Sequence, residues 1–85
     1  MYGRVTTFTL LAPSLWAVVN AVSSTLESED YKRYLFKAGD NNGFIFESFT
    51  NKSIAGSNLE VLKAMQGLSE QGMAKVSIQE GTINK

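Results

Sequence analysis

The residues with most chemical potential lie together in Gly43-Phe44-Ile45-Phe46-Glu47-Ser48-Phe49. Glu47 stands among aromatics. A carboxylate desolvated there would have a raised pKa and could serve as an acid or base. The favoured reading is structural: Glu47 pairs with Arg33 or Lys37 across a hairpin, a contact worth up to about 1 kcal/mol. Phe44 and Phe46, with Tyr34 and Phe36 upstream, could form a stacking platform or a subunit contact. Trp16 could line a ligand pocket or a subunit boundary, and is more simply a partly buried tryptophan at the edge of a helix stripe. Asp40-Asn41-Asn42 offers oxygens but lacks the spacing and terminal glutamate of a calcium loop. Gly39 and Gly43 precede no helix and so make no phosphate loop.

The chemistry that is absent is equally informative. The 85 residues contain no histidine and no cysteine. The usual general base near neutral pH, the commonest metal ligand and any thiolate are therefore missing. No catalytic residue, metal or cofactor is expected. Eight basic and eight acidic residues give a net charge of zero, without the basic excess of a nucleic-acid binder. Lys32, Arg33 and Lys37 form a local basic cluster, offset by Glu27, Glu29 and Asp30. Hydrophobic residues make up 44%, ordinary for a globular chain. A domain this small buries little surface, and association with a second copy is a common remedy.

These residues need elements to hold them. Tyr2 to Leu11, rich in Val5, Thr6, Thr7, Phe8 and Thr9, reads as a strand that ends at Ala12-Pro13. Leu15, Val18, Val19, Val22 and Leu26 fall on one helical face, and Ser28-Glu29-Asp30 closes that helix. Arg4 followed by Val5 to Val22 has the outline of a signal peptide, but Thr6, Thr7, Thr9, Pro13, Ser14 and Asn20 interrupt it. We therefore expect a cytoplasmic protein without membrane contact.

Tyr31 to Ala38 is the second strand, with Tyr34, Phe36 and Ala38 on one face and Tyr31, Arg33, Leu35 and Lys37 on the other. Asn42-Gly43 suits a tight turn with positive φ, leading into a third strand, Phe44 to Thr50. There Phe44 and Phe46 face one way, and Ile45 and Phe49 the other. Asn51 to Gly56 reads as a loop. Ser57-Asn58-Leu59-Glu60 has the form of a capping box for a helix that buries Val61, Leu62, Met65 and Leu68, with Gly72 as its left-handed cap. Ala74, Val76 and Ile78 alternate with polar residues in a last strand. Gly81 to Lys85 reads as a tail.

The order is β-α-β-β-α-β. With right-handed crossovers and a central hairpin, its compact solution is a ferredoxin-like α+β fold: a four-stranded antiparallel sheet, spatial order 4-1-3-2, with two helices on one face. The expectation is a single domain over 1–85. Both faces of the hairpin carry large residues, so one set is left outside, and an apolar patch of that kind marks an interaction surface.

The full-length layout, together with the opening Met1-Tyr2-Gly3-Arg4-Val5-Thr6-Thr7-Phe8, resembles the dimeric α/β-barrel superfamily that includes antibiotic-biosynthesis monooxygenase-like domains. That resemblance implies two sheets packed face to face in a homodimer, with a small apolar ligand between sheet and helices. Active members often place a histidine in the pocket; here there is none, so an enzyme of this group would work without His or Cys catalysis. Trp16 and Asn20 lie one turn apart on the first helix and carry no inherited role. Gly43 to Phe49 is also similar to the third-strand motif of RNA-recognition domains, where two outward aromatics stack on bases. Phe44 and Phe46 match them, with Phe8 as a possible first-strand partner. Asn42, Ile45 and Glu47 depart from the motif, and the neutral chain lacks the electrostatic footprint. The reading is thus a homo-oligomeric ferredoxin-like domain holding a small apolar ligand. Its alternative is an RNA- or protein-binding module using the aromatic hairpin face.

Overall fold

A computed structural model describes residues 1–24 and 27–84. Strand β1 spans Tyr2–Leu10, helix α1 Trp16–Val22, β2 Tyr31–Lys37 and β3 Asn42–Phe49. Helices α2 (Lys52–Ser57) and α3 (Glu60–Glu70) follow, and β4 (Ala74–Thr82) closes the chain. The sheet is antiparallel throughout in the order β2-β3-β1-β4, with the helices on one face. This is the expected ferredoxin-like layout and strand order.

β1 starts from alternation. Arg4, Thr6, Phe8 and Leu10 are buried on the helix side, while Thr7 and Thr9 are exposed. Pro13 opens a turn of 3-10 helix over Pro13–Leu15 that delivers Trp16 into α1. The buried stripe of α1 differs from the expected one: Trp16 and Val19 are buried and Val18 is exposed. Trp16 is in the core at 9% exposure, not at a stripe's edge. Its ring meets Phe8 edge-on at 5.4 Å, and its indole N–H donates to the Asp40 carbonyl at 2.6 Å. α1 also ends early. The Ser24 hydroxyl donates to the Ala21 carbonyl at 2.8 Å, a local bond that competes with helix continuation. Leu26 lies outside the described residues.

The β2–β3 turn is one residue-pair earlier than expected. The Asn42 carbonyl accepts from the N–H groups of both Ala38 and Gly39, at 3.0 Å each, and Leu10 N–H donates to the Asn41 carbonyl. Asn42-Gly43 is therefore strand, and Gly43 does not have positive φ; Gly72 does, at 73°. Gly43 is needed for a different reason. A Cβ there would stand 2.9 Å from the Trp16 ring edge and would collide with the Phe36 carbonyl oxygen. Gly43→Ala should lower stability by about 1–3 kcal/mol, the cost of overpacking against backbone, read as a drop in the urea midpoint.

The expected loop at 51–56 is instead largely helix. The Asn51 side chain accepts from Ile54 N–H at 3.0 Å and caps α2. This also removes the expected capping box. Ser57 is the last residue of α2, its hydroxyl donating to the Ser53 carbonyl, and α3 starts without a side-chain cap. Val61, Met65 and Leu68 form the buried stripe of α3. Gly72 then closes it: Met73 N–H donates to the Leu68 carbonyl and Gly72 N–H to that of Ser69, the Schellman pattern. Gly81 and Thr82 extend β4 rather than forming a tail, paired with Gly3 and Tyr2.

Candidate functional site

The helix side of the sheet carries two apolar clusters. The larger joins Phe8, Leu10, Trp16, Val19, Ile45 and Ala74 to the α3 stripe. The smaller is Tyr31, Phe49 and Ala55, with Tyr2 and Ile54 against it. A row of charge separates them. In register across all four strands stand Glu80, Arg4, Glu47 and Arg33, alternating in sign.

Arg4 and Glu47 are almost fully buried, at 1% and 0% exposure. The Arg4 guanidinium lies 3.4 Å from Glu47 and 3.3 Å from Glu80. It also donates to the carbonyls of Ala55 and Asn58, both at 2.9 Å, and sits 5.0 Å from the centre of the Phe49 ring. This fixes the α2–α3 junction to the central strand β1. The other Glu47 oxygen accepts from the Tyr31 hydroxyl. Arg33 donates to the same Tyr31 oxygen at 3.2 Å and to the Ser23 carbonyl at 2.7 Å, and Tyr31 stacks on Phe49 at 5.0 Å. Lys37 lies 5.2 Å over the Trp16 ring. The ion-pair partner of Glu47 that the hairpin reading missed is thus Arg4. A signal was present: strand alternation puts Arg4 on the buried face with Phe8 and Leu10, and a buried guanidinium requires a carboxylate.

This row holds the helices, and both Glu47 oxygens are taken within it, one by Arg4 and the other by Tyr31. Burial, and then the hydrogen bond to Glu47, push the Tyr31 phenol up to about 12 from its ordinary 10.0. Tyr31 therefore stays a donor at neutral pH. A raised folded-state pKa gives stability that is complete below pH 10.0 and is lost as pH rises through about 12, amounting to about 2–3 kcal/mol. Tyr31→Phe should flatten the fall in stability across that alkaline window. Urea titrations at stepped pH would check it; an unchanged slope would contradict the linkage.

The helix-free face is different in character. Tyr34 stacks on Phe46 with ring centres 6.2 Å apart, and Phe36 on Phe44 at 4.5 Å. Tyr34 and Phe36 are 52% and 45% exposed. Four of the seven candidate residues thus assemble into one aromatic block. Glu47, Arg33 and Trp16 lie on the opposite side. Phe8, the possible first-strand partner for base stacking, points into the core at 1% exposure; Val5 and Thr7 stand beside Phe46 and Phe44 instead.

A cleft of 780 Å³ opens where the end of α3 meets β1 and the edge strand β4, lined by Leu10, Leu11, Ser69, Ala74, Lys75 and Val76 among others. No group of His, Cys, Asp and Glu among the described residues could hold a metal. No helix among them is long and apolar enough to cross a membrane.

Fold and site together define a ferredoxin-like α+β domain with an aromatic sheet face free of helices. Solved structures of other proteins share this fold. Two crystal structures of SnoaB, a cofactor-independent oxygenase from Streptomyces nogalater, superpose with TM-scores of 0.64 and 0.62. The identity is 17% over 99% of this chain and 93% of theirs. A proposed antibiotic biosynthesis monooxygenase from Deinococcus radiodurans superposes at 0.65, with 15% identity over 100% of this chain and 94% of that one. The resemblance to antibiotic-biosynthesis monooxygenase-like domains therefore holds at the level of fold. No protein-family model matches the sequence, and no curated protein matches it either.

Proposed function

We propose that this chain is one ferredoxin-like domain of a homodimer, joined through the helix-free sheet face, that binds a small apolar ligand between sheet and helices. The observation that carries this reading is the block of Tyr34, Phe36, Phe44 and Phe46, two stacked pairs in which Tyr34 and Phe36 stand half in water over the partly buried Phe46 and Phe44. Exposed aromatics of this kind supply the anchors of protein interfaces. The likeness to the dimeric α/β-barrel superfamily supports the face-to-face arrangement. The cleft between α3 and β4 has the size of a small-molecule site and supports the ligand.

The reading favours binding over catalysis. SnoaB is a cofactor-independent oxygenase, but here there is no histidine or cysteine, and the buried carboxylate is committed to Arg4 and Tyr31. The inward turn of Phe8 takes away the first-strand partner that RNA stacking would use. Light scattering at micromolar concentration tests the association. The expected mass is that of two chains; a strict monomer overturns the proposal.

A further inference from the structure

We infer that the two copies meet about a twofold axis running along the strands, so that the aromatic half of each sheet face packs on the small-residue half of the other. The inference rests on the homodimer reading above and names which of the partner's residues each ring meets.

The helix-free face is divided by residue size. Strand register sets two central rows across it, read from β2 to β4. One is Tyr34, Phe46, Val5 and Gln79; the other is Phe36, Phe44, Thr7 and Ser77. In these rows β2 and β3 supply only rings, while β1 and β4 supply nothing larger than valine and glutamine. Thr7, Ser77 and Gln79 are exposed. The rings leave no slots among themselves. Phe36 and Phe44 have centres 4.5 Å apart and Tyr34 and Phe46 6.2 Å apart, too close to admit a third ring between them.

A twofold axis lying between two aligned sheets can run across the strands or along them. Across the strands, it lays β2 on the partner's β2. Phe36 then meets the partner's Tyr34, Phe44 meets the partner's Phe46, and Ser77 meets the partner's Gln79. Two ring blocks would prop the sheets beyond the usual gap of about 10 Å on one side and leave a void on the other. Along the strands, the axis lays β2 on the partner's β4. Phe36 then meets the partner's Ser77, Phe44 the partner's Thr7, Phe46 the partner's Val5 and Tyr34 the partner's Gln79. Large faces small in every pair, the condition for two layers to interlock without voids. The Tyr34 hydroxyl also gains an amide as its hydrogen-bond partner, where the other arrangement offers it a ring.

Phe36 and Ser77 separate the two arrangements. They stand at opposite edges of one sheet, about 14 Å apart at three strand spacings, so they cannot touch within a chain. Sedimentation equilibrium on the full chain gives the dissociation constant. Phe36→Ser should raise it roughly tenfold or more by loss of a ring anchor. Ser77→Phe should raise it roughly tenfold to a hundredfold by crowding the partner's Phe36. The double variant moves the ring from one side of the contact to the other, and should dimerise more tightly than either single variant. Tyr34→Ala with Gln79→Phe repeats the test at a second facing pair, and far-UV circular dichroism verifies that each variant is folded. A Ser77→Phe dimer tighter than the parent would place the axis across the strands, and strictly additive losses would show that the two positions never meet. Either result overturns the arrangement and leaves the sheet-face dimer standing. A parent chain that stays monomeric overturns the arrangement and the homodimer reading together.

Discussion

Arg4→Leu is expected to cost the fold about 3–5 kcal/mol, the price of removing one partner from a buried ion pair. A domain of this size has a total stability of about 5 kcal/mol or more, so the variant should keep only a small margin of stability and unfold at a much lower urea concentration. The magnitude follows from what Arg4 leaves behind. Glu47, at 0% exposure, would keep only the Tyr31 hydroxyl. The carbonyls of Ala55 and Asn58 would lose their donor, and unsatisfied buried acceptors carry their own desolvation cost. Part of the loss should be local: hydrogen exchange over 52–58 should accelerate before global unfolding. Arg4→Leu with Glu47→Leu removes both charges, and should be destabilised by less than the sum of the two single variants. Urea unfolding of the four proteins measures the coupling. Strict additivity would show that the two charges are independent and that the row across the sheet is a coincidence of register.

The second large effect concerns association. Tyr34→Glu with Phe36→Glu places two charges on the half-exposed aromatic block. Core aromatic anchors of an interface are worth about 2 kcal/mol or more each, so the dissociation constant should rise by roughly a hundredfold to a thousandfold. Analytical ultracentrifugation should find the monomer at concentrations where the unaltered chain is a dimer. The monomer itself should remain folded, because both side chains stand outside the helix-side core. Lys32→Glu serves as a control. It lies on the same face but beside Ser48 rather than within the aromatic block, and should leave the dimer in place. If the double variant associates as tightly as the parent, the interface lies elsewhere.

Much of this molecule was legible from local patterns. Alternation in Ala74 to Ile78 and in the hairpin marks strands because a pleated chain turns successive side chains to opposite faces. Gly72 announced the end of α3 because the left-handed cap is a property of a few adjacent residues, and it has φ of 73°. The separation of Phe44 and Phe46 from Ile45 and Phe49 was equally local, and it follows that one aromatic set had to remain outside.

Local patterns also misled where two neighbouring rules competed. Ser57-Asn58-Leu59-Glu60 spells a capping box, yet Ser57 belongs to α2, because Asn51 caps that helix first. Asn42-Gly43 spells a tight turn, yet Asn41 is already bonded to Leu10 on β1, so the ladder continues past the place where the turn was expected.

The sequence by itself determined the order of elements, the two-faced hairpin and the absence of histidine and thiol chemistry, since composition and period need no knowledge of distant partners. Only the tertiary structure decided which face of the hairpin is covered, that Arg4 meets Glu47 from 43 positions away, and that a cleft opens between the end of α3 and β4. Those outcomes depend on strand register and helix seating, which the sum of all pairings sets and no short window of residues contains.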